Sequence, residues 1–191
     1  MSEKIRCDWC LKDQLYMDYH DLEWGRPEHD DRKLFEMLVL EGAQAGLSWY
    51  TILKKRENFR KAFDGFKAEK IALYDGDKVN ELLQDEGIIR NKLKINATIG
   101  NAKAFLKIRD EYGSFDQYIW QFTNHKTIVG NYKNLKEIPA KTKESDAMSK
   151  DLLKKGFKFV GSTICYAFMQ ATGMVDDHVD GCWRRDQVIS K

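Results

Sequence analysis

In residues 31–45, Leu34, Leu38 and Leu40 surround one stripe, and in residues 49–63 the set Trp49, Ile52, Leu53, Phe59 and Phe63 recurs at helical spacing. Neither stretch alternates as a strand would. Further helices are predicted over 67–73, 77–85, 91–111, 115–122, 146–155 and 162–171, with Gly156 and Gly173 placed as C-terminal stops. The two prolines, Pro27 and Pro139, fall in stretches that read as loops. The pattern predicts an all-α protein. Residues 123–145 lose the periodicity and carry turn-forming residues, yet contain too many isolated apolar positions for a simple linker. With no internal repeat or low-complexity tract, a single domain over residues 1–191 is expected.

One residue breaks the pattern. Leu34, Leu38, Glu41 and Ala45 lie at i, i+4, i+7 and i+11, which turns Glu41 toward the core. An ionised carboxylate there needs partners: a helix end, a buried arginine, or a ligand. Gly46, Leu47, Ser48 and Trp49 follow, with Ser48 placed as an N-cap and Trp49 in the first turn of the next helix. A carboxylate and an indole would then share a wall. Leu47, just before the cap, can pack on Ile52 as a hydrophobic staple. Trp9, Tyr16, Tyr19 and Trp24 make the N-terminal segment densely aromatic.

Composition changes this picture little. A hydrophobic content of 42% is that of an ordinary globular chain, and 32 Lys and Arg against 30 Asp and Glu neither demand nor exclude a polyanionic partner. The opening MSEKIRCDWC lacks the apolar run of a signal peptide, and no segment approaches 18 uninterrupted apolar residues, so a soluble intracellular protein is expected. In that setting Cys7, Cys10, Cys165 and Cys182 point to free thiols or metal ligands.

His178 and Cys182 form H-x3-C near one end, and Cys7 and His20 supply a second thiol and imidazole near the other. Together they are the complement of a closed Cys2His2 zinc site that would join segments 6–25 and 176–184. Cys7 and Cys10 also make a C-x2-C pair able to bind zinc or cycle as a redox couple, although no βαβ pattern accompanies them.

The blocks "YHDLEWG", "LEGAQAGLSWYTILKKRENFRKAF", "GIIRNKLKINATIGNA" and "GFKFVGSTICYAFMQATGMVDDHVDGC" together resemble the DNA-3-methyladenine glycosylase I family, over residues 6–182. The resemblance implies an α-helical fold related to the helix-hairpin-helix glycosylases. It implies one structural zinc on Cys7, His20, His178 and Cys182, leaving Cys10 a bystander. Glu41 falls on the base-recognition carboxylate, Trp49 on the stacking tryptophan, and Trp9, Tyr16 and Tyr19 on the other pocket aromatics. Gly46 and Leu47 match a tip that enters the DNA stack, which displaces the staple reading of Leu47.

On the same resemblance the hairpin runs through 157–162. Amides at Gly161 and Ser162 would cradle a phosphate, with Lys150, Lys154, Lys155 and Lys158 adding affinity. The Lys54, Lys55, Arg56, Arg60 and Lys61 cluster reads instead as a solvated helix face. Asp176 and Asp177 occupy the stretch where wider helix-hairpin-helix glycosylases place a catalytic aspartate, but this family is not known to depend on one there.

The activity implied is hydrolytic release of 3-methyladenine from double-stranded alkylated DNA, leaving an abasic site, by a monomer without membrane attachment. The expected location is the cytoplasm of a prokaryotic-type cell, on the nucleoid during action. Two other classes compete: a non-catalytic zinc-stapled helix-hairpin-helix DNA-binding protein, and a thiol oxidoreductase built on Cys7 and Cys10. Trp183, Arg184 and Arg185 are left without a role.

Overall fold

The computed structural model describes residues 4–185; residues 1–3 and 186–191, the ends of the expected domain, lie outside them. Its helices are α1 (Gln14–Leu22), α2 (Asp31–Gln44), α3 (Trp49–Ala62), α4 (Ala68–Ile71), α5 (Gly76–Gln84), α6 (Lys92–Tyr112), α7 (Phe115–Trp120), α8 (Lys143–Lys154) and α9 (Ser162–Ala171). Most match the helices expected from periodicity within a residue or two, and α9 matches at both ends. No helix among the described residues is long and apolar enough to cross a membrane.

Three departures have physical causes. Helix α1 was not anticipated: only Tyr19, His20 and Asp21 of its nine residues are buried, too few to print a period, and the signal that starts it is Asp13, whose side chain accepts from Tyr16 N. Helix α8 begins three residues early because Thr142 and Ser145 form a reciprocal capping box, with Ser145 standing where a glutamate or glutamine is usual. The all-α expectation also gains an exception within the aperiodic stretch. Strand β1 (Ile128–Val129) pairs in parallel with β2 (Val175–Asp176), tying that loop to the segment after α9.

Helix α2 forms the centre of the molecule, packed against α3, α6, α7 and α9. Every residue from Leu34 to Ala43 is buried, so the helix is enclosed on all faces rather than along one stripe. Two of its acidic residues are matched individually. Asp31 accepts from the backbone amides of Phe115 and Asp116 at the start of α7, and Glu36 accepts from the Arg60 guanidinium at 2.7 Å. Phe35 meets Phe105 of α6, which meets Phe115 of α7, at ring separations of 4.9 and 4.8 Å.

Helices α8 and α9 pack on one another and are joined by a short turn. Gly156 ends α8 with φ +94°, the left-handed conformation that a stop glycine supplies. Phe157 and Val160 plunge into the core while Lys158 between them stays exposed. Asn101 of α6 fixes the turn with two bonds, accepting from Lys158 N at 2.8 Å and donating to Lys158 O at 3.0 Å. A side chain at Gly42 would come within 3.2 Å of Phe159, so glycine is what lets α2 lie against this turn.

Candidate functional site

Helix α1 turns Tyr16 and Tyr19, three residues apart, to one face, and His20 follows on the adjoining one. The tyrosines line a cavity of about 340 Å³ together with Trp9, Trp24, Glu41 and Gln44 of α2, Trp49 of α3 and Gln170 of α9. Trp9 packs edge-on to Tyr16 at 4.8 Å, and Tyr19 lies 5.4 Å from Trp49. All five sequence-selected pocket residues thus meet around one space.

Within this aromatic enclosure Glu41 is 3% exposed. Glu41 Oε2, Gln44 Oε1 and Trp49 Nε1 are buried without a hydrogen-bond partner among the described residues. Burial pushes the Glu41 carboxyl up to about 8. It also pushes Tyr16 up to about 12, with Glu41 adding to the shift. A carboxyl group, an amide oxygen and an indole N–H without partners are the complement of a planar, hydrogen-bonding aromatic ligand.

Behind the aromatic wall, donor atoms of Cys7, His20 and Cys182 lie within 4.8 Å of one another, all buried. Hydrogen bonding with Cys7 is the largest cause lowering the Cys182 thiol, and His20 assists it. His178 stands outside that triple but beside it. Its ring centroid is 4.9 Å from that of His20, and its buried Nε2 has no hydrogen-bond partner among the described residues. Two thiols and two imidazoles are the donor set of a closed tetrahedral zinc site.

Both rings are oriented through their other nitrogen, His20 Nδ1 by Asp21 at 2.9 Å and His178 Nδ1 by Asp176 at 2.8 Å. Trp183 donates to Asp21, and Arg185 to the His178 carbonyl, which gives two of the unassigned C-terminal residues a supporting place. Burial works against an ionised Asp21, but bonds from Arg6, His20 and Trp183 prevail and hold it at about 2. Cys10 lies outside the cluster, its thiol donating to the Cys7 carbonyl at 3.1 Å.

The tip between α2 and α3 projects. Gly46 adopts φ +79°, and Leu47 is 43% exposed although Ile52 is wholly buried. Ser48 caps α3 by accepting from Thr51 N, as its position implied. At the other candidate contact, Gly161 is the N-cap of α9 and nothing lies within 4 Å of the space a side chain would take.

The chain matches the methyladenine glycosylase family model over residues 9–185. The chain belongs to that family. It is 55% identical over 177 residues to DNA-3-methyladenine glycosylase 1 of Escherichia coli strain K12, covering 93% of this chain and 95% of that one. It is 49% identical over 177 residues to a DNA-3-methyladenine glycosylase of Haemophilus influenzae, covering 93% and 96%. A crystal structure of 3-methyladenine DNA glycosylase I superposes with a TM-score of 0.92 at 52% identity, over 94% of this chain and 98% of that one. A variant of 3-methyladenine DNA glycosylase I in complex with 3-methyladenine superposes with a TM-score of 0.91 at 35% identity, over 94% and 97%.

Set beside this family's fold, two charge expectations need correction. Lys155 pairs with Glu111 at 2.7 Å, which leaves Lys150, Lys154 and Lys158 as the exposed cations near the turn. The α3 cluster is not simply a solvated face. Arg56 holds Glu23 through two bonds of 2.6 and 2.7 Å, Arg60 holds Glu36 and Glu57, and Lys55 donates to the Glu86 and Gly87 carbonyls.

Asp177 accepts from the Tyr166 hydroxyl at 2.5 Å and from Gln170 at 2.8 Å, while Asp176 orients His178. Gln44 and Gln170 were missed as pocket residues. Gln44, three positions after Glu41 on one helix, was available from spacing, whereas the contribution of Leu135 and Ile138, from the aperiodic stretch, carried no periodic signal.

Proposed function

We propose that the protein hydrolytically releases 3-methyladenine from alkylated double-stranded DNA and leaves an abasic site. The carrying observation is the aromatic pocket with its unpartnered Glu41 Oε2, Gln44 Oε1 and Trp49 Nε1. A DNA-binding module without turnover has no use for such a pocket. A thiol couple at Cys7 and Cys10 has no use for it either.

A 3-methyladenine nucleotide is cationic, so its glycosidic bond already carries a good leaving group. Once extruded, the base stacks on Trp49 and the tyrosines, whose π faces favour a positive ring. The positive charge draws the raised Glu41 carboxyl to its ionised form, which accepts hydrogen bonds from the base edge. Neutral adenine supplies no such charge. The bond from C1′ to the base then breaks with its electron pair going to the base, which leaves neutral, and water adds to C1′ and releases a proton.

Leu47 fills the gap left by the extruded nucleotide, while Gly46 lets the tip turn sharply. The α8–turn–α9 unit acts as a helix-hairpin-helix. Amides at Gly161 and Ser162 approach a phosphate, and Lys158 adds charge. This reading is supported by the open space over Gly161 and by the Asn101 bonds that hold the turn. Cys7, His20, His178 and Cys182 would hold a zinc ion, a reading supported by the converging buried donors and the unpartnered His178 Nε2. With four protein ligands, zinc supplies cross-linking rather than an activated water.

The test incubates methylated duplex DNA with wild type and with Glu41→Gln, and separates released bases by chromatography. Wild type is expected to release 3-methyladenine and the variant to be severely impaired. Absence of release by wild type defeats the proposal, and undiminished release by Glu41→Gln defeats the role of that carboxylate.

A further inference from the structure

The connection between α2 and α3 takes the chain from Gln44 in the pocket to Leu47 at the surface, and it is gripped from a third helix. Lys94, in the first turn of α6, donates from Nζ to Ala43 O at 2.8 Å and to Ala45 O at 2.6 Å. Helix α2 ends at Gln44 and Ala45 has already turned to ψ 117°, so these carbonyls lack the donors that a continuing helix would provide. They also form the negative end of the α2 dipole, where a cation is favoured.

Lys94 has little else to do in this place. Its stem borders a small apolar space lined by Val39, Phe59, Phe63, Ile95 and Phe159, and its ammonium bonds to backbone carbonyl oxygens rather than to a carboxylate. The remaining ties of the connection are local: Leu47 N donates to Gln44 O at 2.6 Å, and Ser48 caps α3. Gly46 between them has nothing within 4 Å of where a side chain would stand. Lys94 is thus the long-range polar anchor of this stretch.

We propose that Lys94 is a positioning residue for base extrusion, clamping the end of α2 so that Leu47 stays projected when it meets the DNA stack. The proposal rests on the reading of Leu47 as the residue that enters the duplex. Pushing a side chain between base pairs loads the loop that carries it, and a loop hinged at an unhindered glycine yields unless its backbone is held. The clamp acts on the tip and leaves the aromatic pocket intact.

The experiment compares wild type, Lys94→Met, Lys94→Arg and Leu47→Ala. Lys94→Met keeps the stem and its apolar contacts but removes the ammonium. Three quantities are read: single-turnover release of 3-methyladenine from methylated duplex, fluorescence of 2-aminopurine beside the lesion as a measure of extrusion, and binding of free 3-methyladenine. Lys94→Met is expected to slow release about tenfold and to weaken the extrusion signal, with free-base binding unchanged and substantial recovery in Lys94→Arg.

Release at the wild-type rate by Lys94→Met overturns the clamp if Leu47→Ala is impaired. Wild-type release by Leu47→Ala overturns the wedge, and the clamp with it. Parallel loss of free-base binding also overturns the proposal, because it marks a collapse of the pocket rather than of the tip. If Lys94→Met melts below the assay temperature, Lys94→Gln is measured against the same criteria.

Discussion

Burial puts Glu41 under electrostatic tension, raising its carboxyl from the ordinary 4.5 to about 8. Because the folded value lies above the unfolded one, the folded chain binds this proton more tightly across that interval, and stability falls as pH rises through it. Glu41→Gln resembles the protonated acid and is free of this cost. The variant is expected to melt roughly 10 °C above wild type at pH 8, with the gain shrinking toward pH 5. Calorimetric melts of both proteins across that range check it, and a pH-independent difference defeats it. The same substitution is expected to slow base release about a hundredfold. The sequence exposed this residue because a carboxylate fell on an apolar stripe. The inference reached a buried carboxylate with an unpartnered oxygen through an incomplete picture, since all of Leu34 to Ala43 is buried and Glu36, off the stripe, is buried too. What separates the two is that Glu36 has Arg60, a pairing between helices that no local pattern discloses.

At the scale of elements, the turn between α8 and α9 depends on Asn101, 57 residues before Lys158 in the chain. Asn101→Ala removes both bonds and leaves Lys158 N and O to find other partners. A stability loss of about 1–3 kcal/mol is expected, together with a raised KM for duplex and unchanged binding of free 3-methyladenine. Thermal melts and the two binding measurements separate these effects. Replacing Lys158 itself by alanine acts differently. It leaves the fold intact and is expected to lower the slope of log affinity against log salt by about 0.9, one phosphate contact. An unchanged slope would remove Lys158 from the DNA contact. The helices flanking the turn were legible from Gly156 and from period, whereas the Asn101 bonds join distant positions through side-chain geometry. Helix α1 was harder still, because it turns Tyr16 and Tyr19 to the aromatic pocket and His20 to the thiol cluster, which leaves no simple apolar stripe.

The described terminal segments and the aromatic pocket form one packed unit. Trp9 lies 4.8 Å from Tyr16 on the pocket side and 5.4 Å from His20 on the cluster side. Trp24 lies 5.1 Å from Trp9 and 4.6 Å from His178. Gly25 then makes the close approach possible, because at φ +74° an added Cβ would stand 2.7 Å from the His178 ring. Pairing of one thiol and one imidazole at each end suggested this clasp from the sequence. The need for Asp21 and Asp176 as orienting partners, and the glycine against the ring, required the folded chain. If zinc joins the ends, its removal must disturb both stability and the aromatic wall, since the same side chains serve both. Treatment with a strong chelator, or Cys182→Ser, is therefore expected to lower the melting temperature by several degrees and weaken binding of free 3-methyladenine. Gly25→Ala is expected to do the same with every donor residue still present, by displacing His178. Elemental analysis of wild type should give about one zinc per chain, with less in both variants. A protein that melts identically before and after chelation, with zinc absent from the start, has a clasp held by hydrogen bonds alone. Loss of zinc without loss of base binding would instead show that the aromatic wall stands independently of the metal.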